Sequence, residues 1–347
     1  MKVDKNYCMS SYLCFRYVAD PDIVFKEGVK HDDHIQIPEE DKFLCRSADD
    51  IDQCIKKILA EVDLSKAALF LSGGMDSAIL ASYMPKGAKA YTARCVAKSA
   101  IDETKRAAEY CRINELEHII VDVTWEDYLN TMDDLMQRDG SPFIPNEPQA
   151  YIMARRAAAD GVKIIVYGDC ADTEFGGMDK LLSRDWDYDG WIERFTFLDP
   201  KKVLKNPADV SEVYERYRVG DNGIDFIKFI SEIYAESAAG ALTNGLKLAK
   251  LLFVDPFEKM KMAEALDLQR VRSGESKYLI RDLFRKKYPM LSVPEKIGMS
   301  RPAEEWMKNW EGPKREEFLP GCIKELSGEQ KLLLFSLERF LNLLDKL

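Results

Sequence analysis

The chain has 347 residues and a formal net charge of −10, with a pI near 5.1. This argues against a general nucleic-acid binder, which neutralises phosphates with a basic patch. Apolar residues make up 46% and charged residues 32%, with only 14 prolines and 19 glycines, as in an ordered globular protein large enough for an α/β domain with a helical extension. No apolar run reaches the roughly 18 residues of a membrane helix, and the start MKVDKNYC has no signal-peptide apolar region, so no membrane association and a cytoplasmic location are expected.

Up to about Asp63 the pattern is mixed: SYLCFRYV reads as a strand, EGVKHDDH as a polar connection and DDIDQCIKKILAEV as a helix. Residues 1–63 are expected to be a segment packed on the following domain. Within it, His31-Asp32-Asp33-His34 is the nearest thing to a metal-ligand cluster, but its adjacent spacing fits an exposed turn. From Lys66 the runs AALFL, AYTARCV, HIIVDV and KIIVYG alternate with helical stretches at DETKRAAEYCR, TWEDYLNTMDDLM and QAYIMARRAAA. Strands alternating with helices predict an α/β fold, a doubly wound parallel sheet with helices on both faces. Beyond about Phe175 the strand signal stops and helices punctuated by Pro and Gly follow. The expected division of 64–347 is an α/β core over about 64–180 and a mostly helical part over about 181–347. Arg285-Lys286-Lys287 reads as a solvated helix face, and the tail EQKLLLFSLERFLNLLDKL as an amphipathic helix packed on its own domain. The eight cysteines form no C-x-x-C pair and read as reduced structural thiols.

The most informative segment follows the first of these strands: Ser72-Gly73-Gly74-Met75-Asp76-Ser77, a small-residue turn that opens a helix. Two glycines let successive N–H groups converge on an anion, and the helix N-terminus adds partial positive charge. The Ser72 and Ser77 hydroxyls can donate to phosphate oxygens. A carboxylate at Asp76, beside the anion, makes sense with a cation between them, which implies magnesium. The loop is not a Walker loop: the closest spacing, Gly240 to Gly245, continues Leu246-Lys247 and lacks the Gly-Lys-Ser/Thr ending. S-G-G-x-D-S resembles the pyrophosphate-binding loop of the PP-loop enzymes, which split ATP into AMP and pyrophosphate. They include asparagine, GMP and NAD synthetases, argininosuccinate synthetase and tRNA-thiolating enzymes.

Three further segments narrow the resemblance. Val166-Tyr-Gly168-Asp169-Cys170-Ala-Asp172-Thr173-Glu-Phe-Gly-Gly177 is similar to the G-D-G-A-D-E-L-F-G-G-Y segment of the asparagine synthetase family. Cys170, Thr173 and Met178 replace that family's Gly, Glu and Tyr. The resemblance makes Asp172 a magnesium ligand with Asp76, puts Asp169 beside the reacting carboxylate and adds Gly168 to the nucleotide site. Lys277-Tyr-Leu-Ile-Arg281 looks like the family's K-x-x-L-R helix. Pro294-Glu-Lys296-Ile-Gly298 through Pro302 to Trp306 looks like R-x-K-x-G-F-x-x-P-x-x-x-W. On that match Lys296 is the catalytic lysine, an ammonium that stabilises negative charge at the α-phosphate. Leu252-Phe-Val-Asp255 resembles P-F-L-D, Ile101-Asp-Glu103 resembles a D-E helix opening, and Ser11-Tyr-Leu-Cys-Phe-Arg-Tyr-Val resembles the lead-in to a synthetase domain.

The resemblance implies an amide-forming ligase with ATP and Mg2+ as cofactors, a small-molecule carboxylate as substrate and ammonia or another amine as acceptor. Glutamine-dependent members carry an N-terminal amidohydrolase domain whose nucleophile is a cysteine at position 2. Here position 2 is Lys, and the phosphate loop begins at Ser72. Nitrogen is therefore expected from free ammonia, a separate glutaminase or an amine of the substrate, as in β-lactam synthetases. Sulfur transfer or nucleobase amination on the same loop, and a catalytically silent nucleotide-binding subunit, are the alternatives. A homo-oligomer stays open.

Overall fold

The computed structural model describes residues 1–347 apart from Asp33, Ile35 and Ser300. Its main sheet has five parallel strands, β1 (Ala67–Phe70), β2 (Lys89–Cys95), β3 (Glu117–Val123), β4 (Ile164–Val166) and β5 (Leu252–Val254), in the order β5-β4-β1-β2-β3. The pairings Leu69 with Ala90 and Leu69 with Val166 put β1 in the centre. All four β1 residues are buried, so the strand reads as an unbroken apolar run, as expected where helices cover both faces of a sheet.

The main helices are α1 (Lys5–Phe15), α2 (Ala48–Leu59), α3 (Met75–Ala81), α4 (Thr104–Asn114), α5 (Trp125–Asp139), α6 (Glu147–Ala159), α7 (Ala235–Leu248), α8 (Tyr278–Lys287) and α9 (Gly328–Leu344). Ile51, Ile55, Ile79, Leu80, Tyr110 and Phe284, from α2, α3, α4 and α8, pack into one cluster with the sheet. Ala150, Ala154, Leu242 and Leu246, from α6 and α7, form a separate cluster with it. The doubly wound α/β expectation holds. The chain order along the sheet reverses at β1, whose neighbours β2 and β4 lie on opposite sides, so a ligand crevice opens above the carboxyl ends of β1 and β4.

Two expectations are corrected. SYLCFRYV is not a strand, because Ser11 to Phe15 complete α1, in which Tyr7 through Phe15 are all buried. A helix buried on every side shows no amphipathic period, so its apolar run reads like a strand. The Asp4 side chain caps its start, and Arg16, at φ 71°, ends it by donating its N–H to the Tyr12 carbonyl. Strands also continue beyond Phe175: β5 adds to the sheet edge, and Met260–Met262 pairs with Phe43–Cys45. At three residues each, these strands are too short to show a period.

The tail helix α9 buries Leu332, Leu333, Leu334, Leu337 and Phe340 within the protein, and Phe340 meets Phe25 edge-on at 5.0 Å. In the basic trio of α8, Arg285 and Lys286 are exposed as expected, Lys286 pairing with Asp49 on the surface, while Lys287 is half-buried against Asp52, each pair at 2.7 Å. The described cysteines are all free thiols. Among the described residues no helix is long and apolar enough to cross a membrane.

Helices α6 and α7 pack backbone to backbone at Gly245, where an added Cβ would lie 2.8 Å from the Tyr151 backbone nitrogen and 2.9 Å from its Cα. Backbone cannot yield as a side chain can, so Gly245→Ala is expected to cost about 1–3 kcal/mol. Urea unfolding followed by far-UV circular dichroism should show a lower midpoint at unchanged slope.

Candidate functional site

The phosphate loop leaves β1 through Leu71 and turns into α3 at Met75. Two hydroxyls organise it. Ser72 Oγ and Ser77 Oγ lie 2.9 Å apart, the Ser72 N–H donates to Ser77 Oγ at 3.1 Å, and the Gly74 N–H donates to Ser72 Oγ at 3.1 Å. Gly73 is buried: its carbonyl accepts from Arg106, and an added Cβ would sit 3.1 Å from Glu103.

The second loop, Tyr167 to Cys170, leaves β4 and enters a helical turn at Ala171–Glu174. Asp255, just past β5, clamps it by accepting the N–H groups of Asp169 and Cys170 at 2.8 Å each and that of Phe257 at 2.9 Å. Gly168 has no room for a side chain, since a Cβ there would lie 2.8 Å from the Phe257 ring and 3.0 Å from Leu80.

Between the loops lies a charged cluster. Lys277 opens α8 at φ 50° and is 3% exposed; its ammonium sits 2.5 Å from Asp76 Oδ2 and 2.7 Å from Asp172 Oδ1. The Lys296 ammonium lies 2.7 Å from Asp172 Oδ2 and donates to the Gly177 carbonyl at 2.5 Å. Burial pushes Asp76 above the ordinary carboxylate range despite Lys277. Burial acts the same way on Asp172, but the ammoniums of Lys277 and Lys296 outweigh it and hold this carboxyl below the ordinary range. Asp169 is pushed up to about 8 by burial and by the neighbouring Asp255, Asp172 and Asp76. Near neutrality, then, Asp169 is largely protonated while two ammoniums balance Asp76 and Asp172.

One cavity is lined by Ser72, Gly74, Asp76, Ser77, Gly168, Asp169, Asp172, Lys277 and Lys296, with Tyr91, Met153, Leu242 and Met299 making an apolar end. Every residue expected at the site except Gly73 lines it. Asp76 Oδ1 is buried without a hydrogen-bond partner, and with Asp172 across the Lys277 ammonium the pair suits a divalent cation. Among the described residues no set of three His, Cys, Asp or Glu side chains could hold a metal alone, so Mg2+ would need phosphate or water oxygens as further ligands. At the His31–His34 segment, Asp33 lies outside the described residues. The segment is no exposed turn: His31 is buried, with Nε2 3.0 Å from the Ile23 carbonyl, and His34 Nε2 lies 2.7 Å from Glu258.

Sequence reasoning assigned no role to Lys277. The K-x-x-L-R resemblance marked it, but nothing local shows that a helix-opening lysine is buried between two distant acids. Asp255, the clamp, was legible only as the weak P-F-L-D match.

Lys277→Met is expected to destabilise the metal-free protein by about 3–5 kcal/mol, because it leaves buried charge unpaired. Magnesium should restore part of that loss in chemical denaturation. For Asp169 the folded value of about 8 exceeds the ordinary 3.8, so its stabilising contribution is full below pH 4 and fades as pH rises toward 8. Asp169→Asn removes that dependence. Its stability gain over the parent should therefore already be present at pH 5 and grow by at least about 1 kcal/mol by pH 8, measured by urea midpoints at both pH values.

The family described as asparagine synthase matches residues 49–252, over half of the chain; the match includes both loops and ends before Lys277 and Lys296. No curated protein matches the chain. Among solved structures, the NH3-dependent NAD synthetase from Campylobacter jejuni subsp. jejuni NCTC 11168, in complex with the nitrate ion, is 15% identical. The likeness covers 72% of this chain and 97% of that chain, with a TM-score of 0.25.

Proposed function

Because the chain belongs to the asparagine synthase family, whose members are ATP-dependent ligase-type enzymes, we propose that it activates a carboxylate as its acyl adenylate and transfers the acyl group to ammonia or another amine. The observation that carries this reading is the meeting of Lys296 with Asp172, at 2.7 Å, in the cavity that the phosphate loop also lines.

In the first step a carboxylate oxygen attacks the α-phosphorus of ATP, and the bond from that phosphorus to the bridging oxygen breaks to release pyrophosphate. In the second, the amine attacks the acyl carbon, AMP leaves with the carboxylate oxygen, and the amine loses a proton. Adenylation is needed because a carboxylate oxygen is a poor leaving group, whereas AMP is a good one. The hydroxyls of Ser72 and Ser77 would hold the β- and γ-phosphates, with the Gly74 N–H orienting the Ser72 hydroxyl. Asp76 and Asp172 would hold magnesium, which supplies charge neutralisation on the phosphates. Phosphate oxygens entering beside Lys277 find its ammonium already fixed between the two acids. Lys296, held at the mouth of the crevice by Asp172 and the Gly177 carbonyl, would direct its charge at the α-phosphate, where negative charge grows in both steps. Asp169, kept largely neutral by burial and its acidic neighbours, lets an anionic carboxylate approach without repulsion. The acceptor nitrogen comes from ammonia, a substrate amine or a separate glutaminase.

The test is carboxylate-dependent exchange of labelled pyrophosphate into ATP across a panel of acids. ATP cleavage between the β- and γ-phosphates, or exchange indifferent to every acid, would overturn the reading. In the same assay Lys296→Met is expected to lower the rate on the order of 100-fold or more with little change in ATP affinity, since its charge acts on the transition state. Lys296→Arg should not rescue it, because the guanidinium differs in shape and reach. A rate within about threefold of the parent, less than roughly 1 kcal/mol, would make the lysine structural.

A further inference from the structure

The main sheet ends in two unlike edges. At one, β5 has only three residues, too few to offer much to another strand; at the other, β3 runs for seven, with no proline, glycine or lysine among them. Such residues guard long edges, because a row of unpaired N–H and C=O groups is a template for a further strand. The register of β3 on β2 decides which groups those are. The Glu117 N–H donates to the Ala88 carbonyl and the Val123 carbonyl accepts from the Val96 N–H, each at 2.9 Å, so the odd-numbered residues of β3 turn their backbone groups toward β2. The N–H and C=O groups of His118, Ile120 and Asp122 turn outward, and among the described residues nothing hydrogen-bonds to them.

The side chains of those three residues share one face of the sheet, since strand side chains alternate. Ile120 is an exposed apolar residue, while His118 is half-buried and Asp122 exposed. Both polar side chains are already steadied from β2: His118 Nε2 lies 2.9 Å from Thr92 Oγ1, and the Asp122 carboxylate takes Arg94 Nε at 2.6 Å and a terminal nitrogen of the same guanidinium at 3.0 Å. A cation, an apolar centre and an anion thus follow one another along a free edge, an order that is complementary to itself when reversed.

We propose that β3 is the interface for a second copy of this chain, pairing antiparallel with the same strand about a two-fold axis at Ile120. Centred there, every outward residue meets an outward residue: Ile120 faces the second copy's Ile120, and His118 and Asp122 face the second copy's Asp122 and His118. Each then donates one backbone hydrogen bond and accepts another. Apolar side chains meet at the axis and an imidazole meets a carboxylate on either side of it, while Glu117 faces Val123, so no two acids are opposed. A slip of one residue would set outward groups against inward ones, and a centre at Ile119 or Val121 would carry Asp122 or His118 past the end of the partner strand. The two sheets become one. β1 and β4 lie beyond β2 from the seam, so both crevices stay open, facing opposite directions, and α4 of each copy lies on the same side of the joined sheet.

The test is sedimentation velocity of the full chain from about 1 to about 100 μM in about 0.15 M salt, which screens the repulsion between two acidic copies. The parent is expected to approach twice 39.7 kDa as concentration rises. Ile120→Lys and Ile120→Glu each set like charges face to face at the axis and should weaken association on the order of tenfold or more. An equimolar mixture of the two sets Lys against Glu and should restore the dimer, a rescue that requires position 120 to face itself. Far-UV circular dichroism and ATP binding as in the parent show that the variants are folded. Amide hydrogen exchange needs no variant: in the parent, exchange across β3 should slow as concentration rises. A parent monomeric at about 100 μM, single variants that associate within about threefold of the parent, or a mixture no more associated than its components overturns the proposal. So do assemblies larger than a dimer, and exchange in β3 that ignores concentration.

Discussion

Two carboxylates held across one buried ammonium organise this protein's crevice. Asp76 comes from the loop after β1, Asp172 from the turn after β4, and Lys277 from the start of α8. None of the three is stable alone in that position, since a buried charge without its partner costs several kcal/mol. Bringing the acids together requires the strand order that sets β1 beside β4, and bringing in the ammonium requires α8 to pack against α2 and α3 from more than a hundred residues further along the chain. The packing of the helical region on the sheet and the electrostatics of the crevice are therefore one problem.

The arrangement also explains why so many neighbouring positions admit no side chain or no other side chain. Asp255 spends its lone pairs on three backbone N–H groups, holding the loop after β4 against the end of β5. Gly168 lies against the Phe257 ring because that clamp draws the loop inward. Burial, together with the surrounding acids, raises Asp169 to about 8, so one carboxyl of the crevice is largely neutral near pH 7. An acidic chain overall thus presents a crevice whose ammoniums and neutral carboxyl suit a polyanion; net charge describes the surface, and burial describes the site.

The local chemistry was legible. Ser72-Gly73-Gly74-Met75-Asp76-Ser77 announces a strand-to-helix anion loop because glycine and hydroxyl residues at that junction have few other uses, and the alternation of apolar runs with helical periods announces a parallel sheet. Lys296 was legible only by resemblance, as one position in a spaced pattern. Where the reading failed, the reason was burial on all sides: α1 looks like a strand because no face of it is polar, and β5 is too short to show a period.

Sequence by itself determined the class of fold and the strand-to-helix phosphate loop, because those depend on residue type and on separations of a few positions. Only the tertiary structure decided that Lys277 rather than a solvent-facing side chain joins Asp76 to Asp172, and that Asp255 clamps the loop after β4. Those facts depend on which distant segments pack together, and packing is set by the summed burial of many side chains, a quantity that no short stretch of the chain contains.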